Sequence, residues 1–75
     1  AFPTFVDEFS VSWQRLVGKN HKKVGLIKSG TVIEAMLFNC TEDLPEKIRA
    51  VYRLVANEWR EQYELQLYID HWQTC

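Results

Sequence analysis

From residue 5 the chain alternates. Phe5, Asp7, Phe9, Val11, Trp13, Arg15 and Val17 fall on one side of an extended backbone, and Val6, Glu8, Ser10, Ser12 and Gln14 on the other. Side chains two apart share a strand face, so this period predicts a long first strand with one mainly apolar side. Gly18 permits a turn that other residues would strain. Residues 21–28 predict a second strand with Val24 and Leu26 facing a core. Ser29 and Gly30 supply a hairpin turn, and residues 31–39 a third strand. The period then breaks at CTEDLPEK: Thr41 suits a helix N-cap, Glu42 and Asp43 suit the first turn, and Pro45 stops it, so one short helical turn is expected. Residues 48–57 alternate again, with Ile48, Ala50, Tyr52, Leu54 and Ala56 on one face. NEWREQ is a polar connection, and residues 63–72 read as a fifth strand. Glu, Gln and Leu there would also suit a helix, but the strict alternation of LQLYI favours a strand.

Five strands with a short helical element between the third and fourth is the element order of an OB-fold Greek-key barrel, an all-β architecture. Such barrels bind single strands and other oligomers on the strand 2–3 face and in the loops after strands 1 and 4. An SH3-like barrel is the alternative. Closure also removes exposed sheet edges. Alternation assigns Phe9, Trp13, Phe38, Tyr52, Leu65 and Leu67 to the core.

The 75 residues make one small domain, a size at which only about 60% of the unfolded chain's surface is buried. Aromatic residues, 13% of the chain, compensate for a thin core. No apolar run reaches the roughly 18 residues a membrane span requires, and no leader pattern is visible, so a cytoplasmic setting without membrane contact is expected. Two cysteines, Cys40 and Cys75, are too few for a disulfide framework and match no zinc spacing; reduced thiols are expected. Net charge is −1, with residues 1–38 at +2 and residues 39–75 at −3. The basic excess sits in VGKNHKKVGL, and a neutral domain can still present a local positive groove.

That segment resembles V-G-x-K-H-L-K-L near the C-terminus of the RecJ family of single-stranded-DNA-specific exonucleases. EAMLFN resembles the family's D-A-I-A-F-N, YRLVANEWR its Y-R-L-D-V-N-E-W-R-G, and LQLYI its L-Q-L-x-I, in the same order over about three quarters of the chain. The resemblance implies the family's C-terminal OB-fold domain: residues 1–75 as a single domain, read as a fragment of a larger 5′→3′ exonuclease of DNA recombination and repair. The catalytic D-H-H motif of the family, which binds divalent metal such as Mg or Mn, has no counterpart here. The resemblance therefore places metal and nuclease activity in catalytic domains outside this sequence, with no cofactor and no catalytic residue in this one. Two positions depart from the pattern. Lys22 stands where the family is usually apolar, and Glu61 replaces the glycine after Trp-Arg.

The candidate nucleic-acid-binding residues are Lys19, His21, Lys22, Lys23, Arg53, Trp59 and Arg60. The lysines of the first turn either neutralise phosphates, which makes binding salt-dependent, or only solvate a hairpin. Trp59 either stacks on bases or folds back over the barrel end. Arg60 contacts phosphate or pairs with Glu58, Glu61 and Glu64; Arg53 lies on strand 4 within reach of the groove. His21 lacks the nearby partner a general base needs, which leaves a DNA contact or a structural hydrogen bond. Glu42, Asp43 and Glu46 read as capping charge, not a metal site. Two functions stay open. One is an accessory domain binding single-stranded DNA for the nuclease domains of its parent chain. The other is an interaction domain docking those domains, a single-strand-binding protein or a helicase, suggested by the acidic second half.

Overall fold

A computed structural model describes residues 3–75, with Trp59 described by its backbone alone. Five strands follow in order: β1 Thr4–Val17, β2 His21–Lys28, β3 Thr31–Leu37, β4 Lys47–Trp59 and β5 Gln62–Thr74. They close into a barrel in the order β1-β2-β3-β5-β4. Closure depends on the length of β1. Its first half pairs antiparallel with β4 from Thr4↔Arg53 to Ser10↔Lys47, and its second half with β2 from Ser10↔Ile27 to Val17↔His21. The circuit is completed by a short parallel pairing of β3 with β5, Ala35↔Leu67 to Leu37↔Ile69. This is the OB-fold barrel expected from the alternation.

Two-residue turns set the hairpin registers. Ser29 and Gly30 have φ of 52° and 79°, and Arg60 and Glu61 have φ of 51° and 64°. Left-handed conformation at both central residues matches the right-handed twist of paired strands. In the second hairpin neither residue is glycine, so the turn holds two residues in a region that L side chains disfavour.

The core comprises Phe9, Val24, Leu26, Ala35, Leu37, Leu44, Ile48, Ala50, Leu67 and Ile69. Phe9 and Leu67 are buried as expected, and Tyr52 packs against them half-buried. Three expectations fail. Phe38 is 46% and Leu65 71% exposed: Phe38 lies just past β3, and Leu65 sits on a β4–β5 hairpin that overhangs the barrel. Trp13 changes sides because β1 is bulged. Val11 pairs with Leu26 and Trp13 with Gly25, leaving Ser12 as the extra residue. A bulge reverses which alternate set faces inward, so Gln14, opposite Val24, enters the barrel and Trp13 leaves it.

The expected helical turn is also absent: residues 38–46 are irregular. Their backbone groups find partners in the barrel instead of in a helical ladder. Gln14 binds Leu44 as another peptide would, its Nε2 donating to the Leu44 carbonyl at 3.0 Å and its Oε1 accepting from the Leu44 N–H at 2.8 Å. Glu46 O accepts from Val11 N at 2.8 Å. Leu44 is thereby held as an apolar plug in one barrel end.

Candidate functional site

The positions of the candidate residues follow from strand parity. On β2, Lys22, Val24 and Leu26 are buried, and His21, Lys23 and Gly25 occupy the opposite, outer face. Lys22 therefore departs from the expectation of a solvent-facing phosphate contact. It is 2% exposed. Its Nζ donates to Gln14 Oε1 at 2.7 Å, to Asp43 Oδ1 at 3.3 Å and to the Glu42 carbonyl. Opposite Leu37 in register, it keeps the inward orientation that an apolar residue would have there. Its charge is met by the 38–46 segment, which it ties to the barrel wall.

Lys23 and His21 stay outside. Lys23 lies 3.5 Å from Glu34. His21 Nδ1 accepts from the Asn39 N–H at 3.2 Å, and its ring meets Phe38 edge-on at 5.3 Å. A histidine so held has a structural role and keeps an aromatic edge on the surface. Lys19 lies in the exposed turn between β1 and β2, which is anchored where Asn20 O accepts from Cys40 N at 2.8 Å.

The register extends this patch. Arg15 pairs with Lys23 and Lys23 with Met36; Trp13 pairs with Gly25 and Gly25 with Glu34; Val17 pairs with His21. The outer faces of β1, β2 and β3 thus carry Trp13, Arg15, His21, Lys23, Glu34 and Met36 side by side, with Phe38 just beyond. Phe38 continues the aromatic row to Tyr68 on β5, at 5.1 Å edge-on. Arg53 stands over Tyr68 at 5.8 Å, but its Nε also donates to both oxygens of Asp70 at 3.0 Å, so its charge is already matched. Past the short β3–β5 pairing the two strands part, leaving a groove of about 240 Å³ lined by Lys23, Glu34, Met36, Glu64, Leu65 and Gln66 among others.

Arg60 sits exposed in the β4–β5 turn. Because β3 and β5 are parallel, that turn and the β1–β2 turn lie toward opposite ends of the strands, with the β2–β3 outer face between them. Lys19, His21 and Lys23 are brought together; Arg53 and Arg60 are not part of their cluster. The side chain of Trp59 lies outside the described residues. Trp13, Arg15 and Phe38 join the patch although none was a sequence candidate. One signal was present: an isolated glycine inside an apolar strand, Gly25, marks a close approach by another group.

Asp7, opposite Ala50 in register, lies on the same face of β1 as Phe9 and is not part of the patch. Its carboxylate accepts from Lys28 Nζ and, at 2.5 Å, from Tyr52 Oη. The Lys28 hydrogen bond, then that of Tyr52, holds the Asp7 carboxyl below its ordinary value. Burial, then the bond to Asp7, pushes the Tyr52 phenol up to about 12. Both cysteines are free thiols. Among the described residues no three His, Cys, Asp or Glu side chains gather as a metal site would require, and no helix is long and apolar enough to cross a membrane.

A family model described as the RecJ OB domain matches residues 1–71. The single-stranded-DNA-specific exonuclease RecJ of Dickeya dadantii (strain 3937) is 32% identical over 76 residues, covering 92% of this chain. The chain spans only 13% of that relative's length. On the strength of the closed barrel, the family match along nearly its whole length and this relative, the chain belongs to the RecJ OB domain family.

Proposed function

We propose that this chain is an accessory domain that holds single-stranded DNA for a metal-dependent 5′→3′ exonuclease whose catalytic domains lie elsewhere in a longer cytoplasmic polypeptide serving recombination and repair. The patch on β1, β2 and β3 carries the reading: Lys19, Lys23 and Arg15 beside Trp13, His21 and Phe38. Cations that track a backbone, interleaved with rings on which bases stack, are what sequence-tolerant binding of an unpaired strand requires. The relative that this chain resembles is by name specific for single-stranded DNA. The contribution is binding alone; the divalent metal belongs to the catalytic domains. Arg53, tied to Asp70, contributes its stack with Tyr68 more than its charge, and Arg60 and Trp59 would extend the path along the hairpin.

Fluorescence anisotropy with a labelled oligothymidylate tests this. Binding at micromolar concentration or weaker is expected, and it weakens with added salt. An absence of binding at low salt, or binding indifferent to salt, refutes the DNA role.

A second reading has an observation of its own. The inward side of the overhanging β4–β5 hairpin exposes Leu54, Tyr63 and Leu65, with Glu58 opposite Tyr63 and Glu61 at the turn. An apolar patch with an acidic rim suits a protein surface better than a phosphate backbone. The parent's catalytic domains, a single-strand-binding protein or a helicase are its candidate partners. Capture of one of these by the chain, lost on Leu65→Asp with DNA binding retained, would support docking.

A further inference from the structure

The least expected feature of the outer face is the seat of Trp13. A Cβ built on Gly25 would lie 2.2 Å from Trp13 Nε1 and 2.6 and 2.7 Å from its ring neighbours Cε2 and Cδ1. Nε1 is nearest and the two flanking atoms are nearly equidistant and only slightly farther. That pattern places the missing Cβ above the ring plane; an edge-on approach would leave the neighbours much farther away. The indole therefore lies face-down on the β2 backbone, in a recess that exists because residue 25 is glycine. Its lower face is packed, and the residue as a whole is half-buried. The Arg15 guanidinium stands over the ring at 5.7 Å from the centroid, near the outer limit of a cation–π contact.

We infer that Trp13 is a base-stacking platform: one unpaired nucleobase takes its outward face, displacing the Arg15 guanidinium that stands over it, and the displaced Arg15 neutralises the adjoining phosphate. The inference rests on the single-strand reading and assigns that strand a place, across β1 and β2. A ring fixed against backbone loses little freedom when a base settles on it, and stacking tolerates any base because each has a π-face. Arg15, loosely held and opposite Lys23 in register, supplies charge on the same side.

The experiment compares two oligomers of equal length and charge, an oligothymidylate and its abasic counterpart, against the wild-type chain, Trp13→Leu and Trp13→Tyr. Trp13→Leu is expected to weaken oligothymidylate binding roughly 5- to 150-fold, the equivalent of one stacked base. It should leave abasic binding unchanged, and Trp13→Tyr should restore most of the loss. An equal loss on both oligomers would mean that Trp13 only shapes the barrel, and no loss would mean that the strand passes elsewhere; either overturns the inference while the DNA role stands. Wild-type binding to neither oligomer overturns both. Should Trp13→Leu fail to fold, photo-crosslinking of the wild-type chain to a 5-iodouracil oligomer decides: a crosslink on Trp13 supports the platform, and crosslinks confined to other residues overturn it.

Discussion

Replacing Lys22 separates two roles that its place in the basic segment confounds. In the barrel its stem is buried and its ammonium makes three hydrogen bonds to Gln14, Glu42 and Asp43. Lys22→Ala removes three methylenes beyond Cβ at about 0.8 kcal/mol each, roughly 2.4 kcal/mol. It also leaves the Glu42 carbonyl without its donor, at a cost of about 1–3 kcal/mol. Gln14 Oε1 keeps the Leu44 N–H, and the Asp43 carboxylate, 96% exposed, returns to water. The variant is spared the cost of taking an ammonium out of water on folding, which offsets part of the sum, so a net loss of about 3 kcal/mol is expected. Lys22→Met keeps the packing and should lose about 1–2 kcal/mol. Since 1 kcal/mol moves Tm by about 4–8 °C in a domain of this size, thermal unfolding followed by circular dichroism distinguishes the variants easily. Lys22→Met should bind oligothymidylate as the wild type does, with the same dependence on salt. The reasoning is refuted if Lys22→Met keeps the wild-type Tm but weakens binding and flattens the salt dependence by about 0.7 in log–log slope, the mark of one lost phosphate contact.

Three other outcomes follow from local geometry. Glu61→Gly should raise the urea midpoint by the equivalent of about 1 kcal/mol, because relief of the left-handed φ outweighs the added freedom of the unfolded chain. Gly25→Ala should lower stability by about 1–3 kcal/mol and alter the near-ultraviolet dichroism, since its Cβ would meet the Trp13 ring. For Tyr52, with its folded pKa pushed up to about 12 from 10.0, the folded state holds the proton more tightly. Its contribution is complete below pH 10 and is lost as pH rises toward 12, so Tyr52→Phe should flatten the alkaline arm of the stability profile.

Much of the barrel is legible in the sequence because half-buried strands write their period directly. Residues 21–28 and the Ser29–Gly30 turn are recovered as read, as are the inward Val24 and Leu26, and Phe9 and Leu67 in the core. Where one residue changes the parity, the pattern misleads: nothing in SVSWQ marks Ser12 as a bulge, so Trp13 reads as core and Gln14 as surface. Lys22 is misread for the opposite reason. Its parity is legible, but a charged residue among lysines suggests solvent, and the acceptors that satisfy it come from residues 14 and 42–43, remote in sequence. The hairpin tip is hidden because Arg60 and Glu61 form a tight turn without glycine, so β4 and β5 run farther than the polar stretch suggests. The irregular 38–46 segment carries helix-capping residues whose backbone partners lie across the barrel.

The placement of an unpaired strand on the outer face of β1, β2 and β3 is tested most directly by following backbone amide resonances while an oligothymidylate is added to the chain. Shifts concentrated at residues 13–15, 19–25 and 36–38, fading as salt is raised, are the result expected. Shifts confined to the far end of the barrel around residues 8–10, 47–49 and 73–75, or to the apolar side of the β4–β5 hairpin, would contradict it.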